Sequence, residues 1–250
     1  LMTNNMFFIA NWKMFGDLRA INSTKKVIKF SKNKKFRRAQ IVYCPPYTLI
    51  EQFNKITKNS KIKVGAQDCH FLESHGPFTG SVNANLLKII GAKYVIVGHS
   101  ENRARGDTNY LINLKIKSAL NKNLKVIFCI GETLKEKKKN KTNLIINTQI
   151  SRGLKNIKKN KNVIFAYEPV WSIGTGIIPK ISDLEKQVSL IKKMINKIWK
   201  YKNPQILYGG SVNSKNVRQL KKIRSINGYL IGGASQNANN FIDIIKKTII

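Results

Sequence analysis

The chain has 250 residues, and its 46 Lys and Arg against 12 Asp and Glu give a formal net charge of +34 at pH 7. This length allows a sizeable buried core, and the hydrophobic content of 42% excludes a disordered or low-complexity chain. Because no apolar stretch reaches the roughly 18 residues of a membrane-spanning helix and none resembles a signal peptide, we expect a cytoplasmic protein without membrane contact.

Short apolar runs rich in β-branched residues alternate with longer helical patterns along the whole chain. The predicted strands are 7–11, 41–43, 62–66, 94–97, 126–130, 163–167, 206–208 and 228–231. The main predicted helices are 18–30, 109–120 behind Thr108, 144–157, 184–198 behind Ser182 and Asp183, and 241–249. This alternation predicts an α/β fold, a single-domain (β/α)8 barrel over residues 1–250 with eight parallel strands ringed by helices. A doubly wound open sheet is the alternative, and the absence of a GxGxxG motif after any strand disfavours it.

In such a barrel, the functional residues lie in the loops that follow the carboxyl ends of the strands. Asn11 and Lys13 follow the first predicted strand, His99 follows the fourth and Glu168 directly follows the sixth. Taken alone, Lys13 is more often a solvated charge and His99 a structural histidine. Glu168 is harder to dismiss, because acids are scarce in this chain and a semi-buried carboxylate can act as a base near neutrality.

Glycine pairs follow the last two predicted strands, at 209–210 and 232–233. A single pair more often marks a tight turn, but two pairs on adjacent strands can present backbone N–H groups that bind phosphate. With a base, a histidine, a fixed cation and an amide, this set suits the movement of a proton next to a carbonyl group. We expect no metal and no other cofactor, since the carboxylates and histidines lack metal-ligand spacing.

Six segments carry a specific resemblance. They are NWKM from Asn11, VGHSE ending at Glu101, CIGE from Cys129, AYEPVWSIGTG from Ala166, YGGSV from Tyr208 and IGGAS from Ile231. In their order and spacing, over essentially the whole length, the chain resembles the triosephosphate isomerase family. The resemblance implies an isomerase of glycolysis and gluconeogenesis that interconverts dihydroxyacetone phosphate and D-glyceraldehyde 3-phosphate through an enediolate.

The resemblance also assigns roles to individual residues. It implies that Glu168 carries the proton, while His99 as a neutral imidazole, Lys13 and Asn11 stabilise the developing negative charge. The residues implied to bind the substrate and its phosphate are Asn11, Lys13, Gly174, Ser211, Gly232 and Gly233. The implied lid, which excludes water from the intermediate, includes Pro169, Val170, Trp171, Gly174, Thr175 and Gly176. The implied supporting residues are Ser100, Glu101 and Cys129.

A homodimer is a further implication of the resemblance. The loop at residues 75–80, with Phe78, Thr79 and Gly80, would enter a pocket beside the active site of the partner subunit. Without the family, this segment would be interpreted as an ordinary surface loop.

Three positions depart from the family pattern. Ser81 stands where the dimer loop usually carries Glu, and Asn102 stands where Arg usually follows Glu101, so we expect the ion pairs between these loops to be rearranged. Ile177 replaces the Lys that usually follows the lid, which changes its C-terminal hinge.

Two interpretations from other classes remain open. A basic nucleic-acid-binding protein is favoured by the net charge alone, but the lysines are spread along the whole chain and aromatic residues do not interleave with them, so no specific nucleic-acid partner is expected. Another phosphate-sugar enzyme on the same barrel would share the glycine pairs. Cys44, Cys69 and Cys129 lack CxxC spacing and are predicted to be reduced and buried.

Overall fold

A computed structural model describes residues 5–250 of the chain as a closed barrel of parallel strands. Each strand pairs with the next one in sequence, and β8 pairs with β1. The strands are β1 Met6–Asn11, β2 Ala39–Cys44, β3 Lys63–Ala66, β4 Tyr94–Val97, β5 Lys125–Ile130, β6 Val163–Tyr167, β7 Ile206–Tyr208 and β8 Gly228–Ile231. The predicted fold class is therefore confirmed. Residues 1–4 of the predicted domain lie outside the described residues.

Helices follow the strands around the barrel. They are α1 Leu18–Ser31, α2 Ile50–Thr57, α3 Ala84–Ile89, α4 Ser100–Ala104, α5 Asn109–Asn121, α6 Leu134–Lys138, α7 Thr142–Gly153, α8 Ile181–Trp199, α9 Val217–Leu220 and α10 Ala238–Ile249. Short 3₁₀ turns lie at Lys34–Phe36, Tyr47–Leu49, Val170–Ser172 and Gly233–Ser235. None of the helices within residues 5–250 has the length and apolar character that crossing a membrane requires.

Capping and turn residues determine where the helices begin and end. The Thr108 side chain accepts the N–H of Leu111, which confirms its predicted role as N-cap of α5. The prediction that a helix extends to residue 157 was wrong, because α7 ends at Gly153 and Asn156 adopts a left-handed φ of 58°.

Two helices begin earlier in the sequence than predicted. Ser182 and Asp183 lie inside the first turn of α8, which begins at Ile181. The last helix begins at Ala238, three residues before the predicted start, because the Asn237 side chain accepts two backbone N–H groups there.

The strands are apolar on both faces because both faces are buried. One apolar cluster consists of strand residues alone and includes Ile9, Ile96 and Leu230. Along each strand these residues alternate with residues that face the helices, so the cluster fills the barrel interior. The other cluster joins the outward strand residues to the helices. All three cysteines are buried and free, as predicted. This packing fixes the strands so that the loops at their carboxyl ends meet around one opening.

Candidate active site

A cavity of about 340 Å³ opens among the loops that follow β1, β4, β6, β7 and β8. Its lining includes every residue predicted for catalysis and phosphate binding: Asn11, Lys13, His99, Glu168, Gly174, Ser211, Gly232 and Gly233. Gly209 and Gly210, expected as one of the two glycine pairs, line it as well, and so do five residues for which the sequence predicted no site role: Ile173, Val212, Asn213, Leu230 and Ala234. Gly176 of the predicted lid also lines the cavity, whereas Pro169, Val170, Trp171 and Thr175 lie outside its lining.

The Glu168 carboxylate is the buried acid of this cavity, with only 2% of the residue exposed. Its Oε2 accepts the N–H of Ser100 at 3.1 Å. Its Oε1 lies 3.0 Å from Nε2 of His99, but the two groups are not aligned as a hydrogen bond. Gly209 makes room for this side chain, since a Cβ there would lie 2.9 Å from the Glu168 Cγ. One oxygen of a buried carboxylate is therefore held in place by the backbone, and the other is left to accept a proton.

The His99 ring is oriented by the backbone on one side and by a carboxylate on the other. Its Nδ1 accepts the N–H of Glu101 at 3.2 Å, which places the proton of the neutral ring on Nε2, facing Glu168. Burial by itself lowers the pKa of His99, but the Glu168 carboxylate, and Glu101 to a lesser degree, raise the pKa above its ordinary value. The neutral imidazole that the resemblance implies for His99 is thus opposed by its neighbouring acid.

Lys13 also lines the cavity, and its backbone is in a left-handed conformation, with φ of 56°. Such a backbone costs about 1–3 kcal/mol in a residue other than glycine. Three bonds hold it: its N–H donates to Oδ1 of Asn11 at 3.1 Å, its carbonyl accepts from Nε2 of Gln67 at 2.8 Å, and its ammonium pairs with Glu101. The pair with Lys13 lowers the pKa of Glu101 although partial burial opposes this. Gln67 was not predicted, yet its position directly after β3 was a usable signal.

The predicted lid is anchored at Trp171 by a buried acid. The indole Nε1–H donates to Oε1 of Glu132 at 2.9 Å, and the Tyr167 hydroxyl donates to Oε2 at 3.2 Å. The Lys137 ammonium lies 3.4 Å above the centre of the indole ring. Burial raises the pKa of Glu132 despite these donors. The sequence analysis gave Glu132 no role beyond its place in a motif, and the structure shows that it accepts the indole N–H of Trp171 in the predicted lid.

Two further groups stabilise the strand ends behind the cavity. Cys129 is fully buried, and burial together with the Glu168 carboxylate raises the pKa of its thiol, so it remains protonated at neutral pH. Arg103 was not predicted; its guanidinium donates to the carbonyls of Gly98 and Cys129 and to Oδ1 of Asn109. These bonds tie the end of β4 to the end of β5.

A second cavity, of about 500 Å³, adjoins the first. It shares Asn11, Lys13 and His99 with the first cavity and extends to Met14, Pro46, Tyr47, Gln67, Asp68, Glu101, Asn102 and Arg105. The predicted dimer loop lies away from both cavities, so Phe78, Thr79 and Gly80 do not contribute to the site of their own chain. Phe78 packs 4.5 Å from His70, ring centre to ring centre, and remains 42% exposed.

The fold and the cavity define a (β/α)8-barrel enzyme whose polar and glycine-rich strand ends meet in one cleft. A family model described as triosephosphate isomerase matches residues 6–248. The triosephosphate isomerase of Dictyoglomus turgidum is 40% identical over 245 residues, which cover 95% of this chain and 97% of the relative. That of Thermodesulfovibrio yellowstonii is 38% identical over 244 residues, covering 96% and 98%.

A crystal structure of triosephosphate isomerase from Bartonella henselae superposes with a TM-score of 0.88 at 31% identity, covering 97% of this chain and 98% of that one. The chain belongs to the triosephosphate isomerase family. The expected isomerase function is confirmed at the level of the family, and none of these matches favours a nucleic-acid-binding protein or another phosphate-sugar enzyme.

Proposed function

We propose that this protein interconverts dihydroxyacetone phosphate and D-glyceraldehyde 3-phosphate, using the residues that line the 340 Å³ cavity. The observation that carries the proposal is the meeting of Glu168, His99, Lys13 and Asn11 with glycine-rich backbone in that one space. A proton acceptor, three groups for a developing oxyanion and a place for phosphate are the parts that this reaction needs. In a cell, the activity belongs to glycolysis and gluconeogenesis.

Glu168 is the proposed base. Its carboxylate takes a proton from the carbon beside the carbonyl, the electrons of that C–H bond form the C=C bond of an enediolate, and the π electrons of the carbonyl move onto its oxygen. The hydroxyl proton then passes from one oxygen to the other, and the proton held by Glu168 is delivered to the neighbouring carbon as the new carbonyl forms. The buried, backbone-held position of this side chain supports the role, because a fixed base near the reacting carbon loses little entropy on reaction.

His99, Lys13 and Asn11 are the proposed stabilisers of the enediolate. The Nε2–H of His99, which faces Glu168, is a hydrogen-bond donor in the cavity, and the Lys13 ammonium supplies positive charge to the same cavity. The strained backbone of Lys13 and its three bonds support this assignment, since they hold the cation in place before substrate arrives.

The phosphate is proposed to bind the backbone of Gly174, Ser211, Gly232 and Gly233. Gly232 leaves space beside the Lys13 side chain, where a Cβ would lie 3.5 Å from its Cε. All four residues line the cavity, so the phosphate would bind inside it. Closure of the lid over the bound substrate would then exclude water from the enediolate. Ser100, Glu101 and Cys129 are proposed to support the catalytic side chains through the contacts described above.

We also propose that the protein is a cytoplasmic homodimer. Its three free cysteines suit a reducing compartment. The second cavity borders the catalytic residues and is flanked by the fully exposed Met14, while Phe78 projects from the predicted dimer loop. Entry of that loop into the second cavity of the partner subunit would cover both Met14 and Phe78. Ser81 and Asn102 carry no charge, so such a contact would depend on the apolar side chains.

The activity is tested by assaying purified protein with D-glyceraldehyde 3-phosphate, beside Glu168→Gln. We expect kcat of the variant to fall by about 10²–10⁴ or more, because the base is lost. Glu51→Gln is the matched control, since Glu51 is exposed on α2 and should leave kcat unchanged. A folded but inactive wild-type protein would refute the proposal, and equal activity in Glu168→Gln would refute the assignment of the base or reveal a contaminating host enzyme.

The dimer is tested by light scattering after gel filtration. We expect twice the chain mass at micromolar concentration and a shift toward the monomer in Phe78→Ser. Tyr110→Ser, which changes another exposed aromatic residue, is the control. A wild-type monomer, or a dimer that Phe78→Ser leaves intact, would contradict the proposed interface.

A further inference from the structure

The Ser172 hydroxyl occupies a fully buried junction between the lid and the loop after β7. Its Oγ lies 2.6 Å from the carbonyl of Ile177, 3.1 Å from the Tyr208 hydroxyl and 3.4 Å from the backbone N of Ser211. Ile177 directly follows the last lid residue, and Ser211 lines the proposed phosphate site. One hydroxyl therefore contacts the end of the lid, a barrel strand and a phosphate-binding amide.

The donors and acceptors at this junction can be assigned without ambiguity. A serine hydroxyl has one proton and two acceptor sites. The Ile177 carbonyl can only accept, so Ser172 donates its proton there. Tyr208 must then donate its hydroxyl proton to Ser172, and the Ser211 N–H fills the second acceptor site. The hydroxyl has no capacity left, and its bond with Ser211 is the longest of the three.

The Ser211 amide is thus already engaged in the site to which phosphate must bind. A phosphate oxygen is a charged acceptor and forms shorter, stronger bonds with an N–H group than a hydroxyl does. We propose that Ser172 is a positioning residue: it holds the Ser211 amide in place before substrate arrives and yields that amide to phosphate. This inference rests on the proposed function and names a further positioning residue of that same site.

The remaining bonds keep Ser172 in place when phosphate takes the Ser211 amide. Ser172 keeps its bonds to Ile177 and to Tyr208 of β7. The Thr175 hydroxyl donates to the Ser172 carbonyl at 3.1 Å and accepts the Ile177 N–H at 3.1 Å. Loss of the Ser211 bond removes a tie to the phosphate loop and leaves the internal geometry of the lid intact.

The test compares Ser172→Ala and Ser172→Thr with the wild type. The first removes the hydroxyl, and the second keeps it. Ser23→Ala is the control, since its hydroxyl bonds a carbonyl within α1, remote from the cavity. The readouts are Kd for glycerol 3-phosphate, which has no carbonyl to isomerise, measured by calorimetry, and kcat and KM measured separately.

If Ser172 competes with phosphate for the Ser211 amide, Ser172→Ala binds glycerol 3-phosphate about two- to tenfold more tightly, the range expected for one neutral hydrogen bond. Its kcat falls, because the Ile177 carbonyl and the buried Tyr208 hydroxyl lose their partner. Ser172→Thr restores the wild-type Kd. Tighter binding with lower kcat distinguishes this coupling from a general loosening of the lid, which would weaken binding as well.

Unchanged or weaker binding in Ser172→Ala would overturn the proposal. So would an Ala-like Kd in a folded Ser172→Thr variant, with folding checked by circular dichroism. Calorimetry does not depend on turnover, so the Kd comparison decides the matter even if the wild type failed to isomerise its substrate. Failure of the proposed function and failure of this inference are therefore distinguishable.

Discussion

Replacing Trp171 with Phe removes one hydrogen-bond donor from a buried carboxylate and keeps an aromatic ring at the base of the lid. The indole Nε1–H donates to Glu132 at 2.9 Å, and Glu132 is 1% exposed. The Lys137 ammonium lies over the ring, and a Phe ring retains part of that attraction. The substitution therefore isolates the N–H group from the cation–π contact.

The expected cost follows from the state of the acceptor. A hydrogen bond to a charged group contributes about 1.5–3 kcal/mol. The Tyr167 hydroxyl still donates to Glu132, so the carboxylate keeps one donor, and we expect the free energy of unfolding to fall by about 2 kcal/mol at pH values where Glu132 is ionised. The loss should depend on pH. Burial already raises the pKa of Glu132, and removing a donor to its ionised form raises it further.

The sign of the pH dependence gives the decisive measurement. The difference between the two proteins should be small where Glu132 is protonated in both, grow as pH rises through its pKa, and level off above it. Urea unfolding across a pH series measures this difference. Trp199→Phe is the matched control, because its indole donates at 2.6 Å to the Ile157 carbonyl, which does not titrate. A Trp171→Phe loss as independent of pH as that of the control would refute the reasoning.

Further predictions concern the charges of the molecule. Because the Glu168 carboxylate raises the pKa of His99, Glu168→Gln should lower that pKa in an NMR titration, and an unchanged His99 titration would contradict this. The pair stabilises the wild type below about pH 6.5 and loses this contribution as pH rises through the His99 pKa, so the contribution should be missing from the variant. Lys115 bonds Asp68 and Asp107 with its side chain 7% exposed, so Lys115→Met should cost about 3 kcal/mol in urea unfolding, and adding Asp68→Asn and Asp107→Asn should recover much of it. With a net charge of +34, salt should raise Tm and lower kcat/KM for an anionic substrate, and flat salt profiles would exclude self-repulsion and steering respectively.

Strand positions could be predicted because burial on both faces leaves an uninterrupted apolar run. Val163–Tyr167 is such a run, and because it stops at Glu168, the sequence alone places this acid at the carboxyl end of a strand. Once the barrel is inferred, its topology requires the ends of distant strands to converge. His99 and Glu168, which follow different strands, therefore meet at 3.0 Å.

Contacts that depend on side-chain geometry could not be predicted in this way. Gln67 and Ser172 act through hydrogen bonds to groups far along the chain, and no periodicity in the sequence indicates such bonds. The early end of α7 has a similar cause, since an apolar pattern continues past Gly153 while the backbone turns at Asn156. The partners of the lid and of the strand ends emerge only when the loops are folded against one another.

The scarcity of acidic residues made their positions unusually informative. With 46 lysines and arginines available, an exposed acid finds a cation almost anywhere, and such a pair contributes about 0–1 kcal/mol. Glu101, Glu132 and Glu168 instead follow strand ends, where burial makes an ionised carboxylate costly unless a specific donor meets it. A lysine pairs with Glu101, an indole N–H donates to Glu132 and a backbone N–H donates to Glu168. In a strongly basic chain, an acid at a strand end therefore carries more information than a lysine there, which is why Glu168 stood out by itself whereas Lys13 was identified through the family.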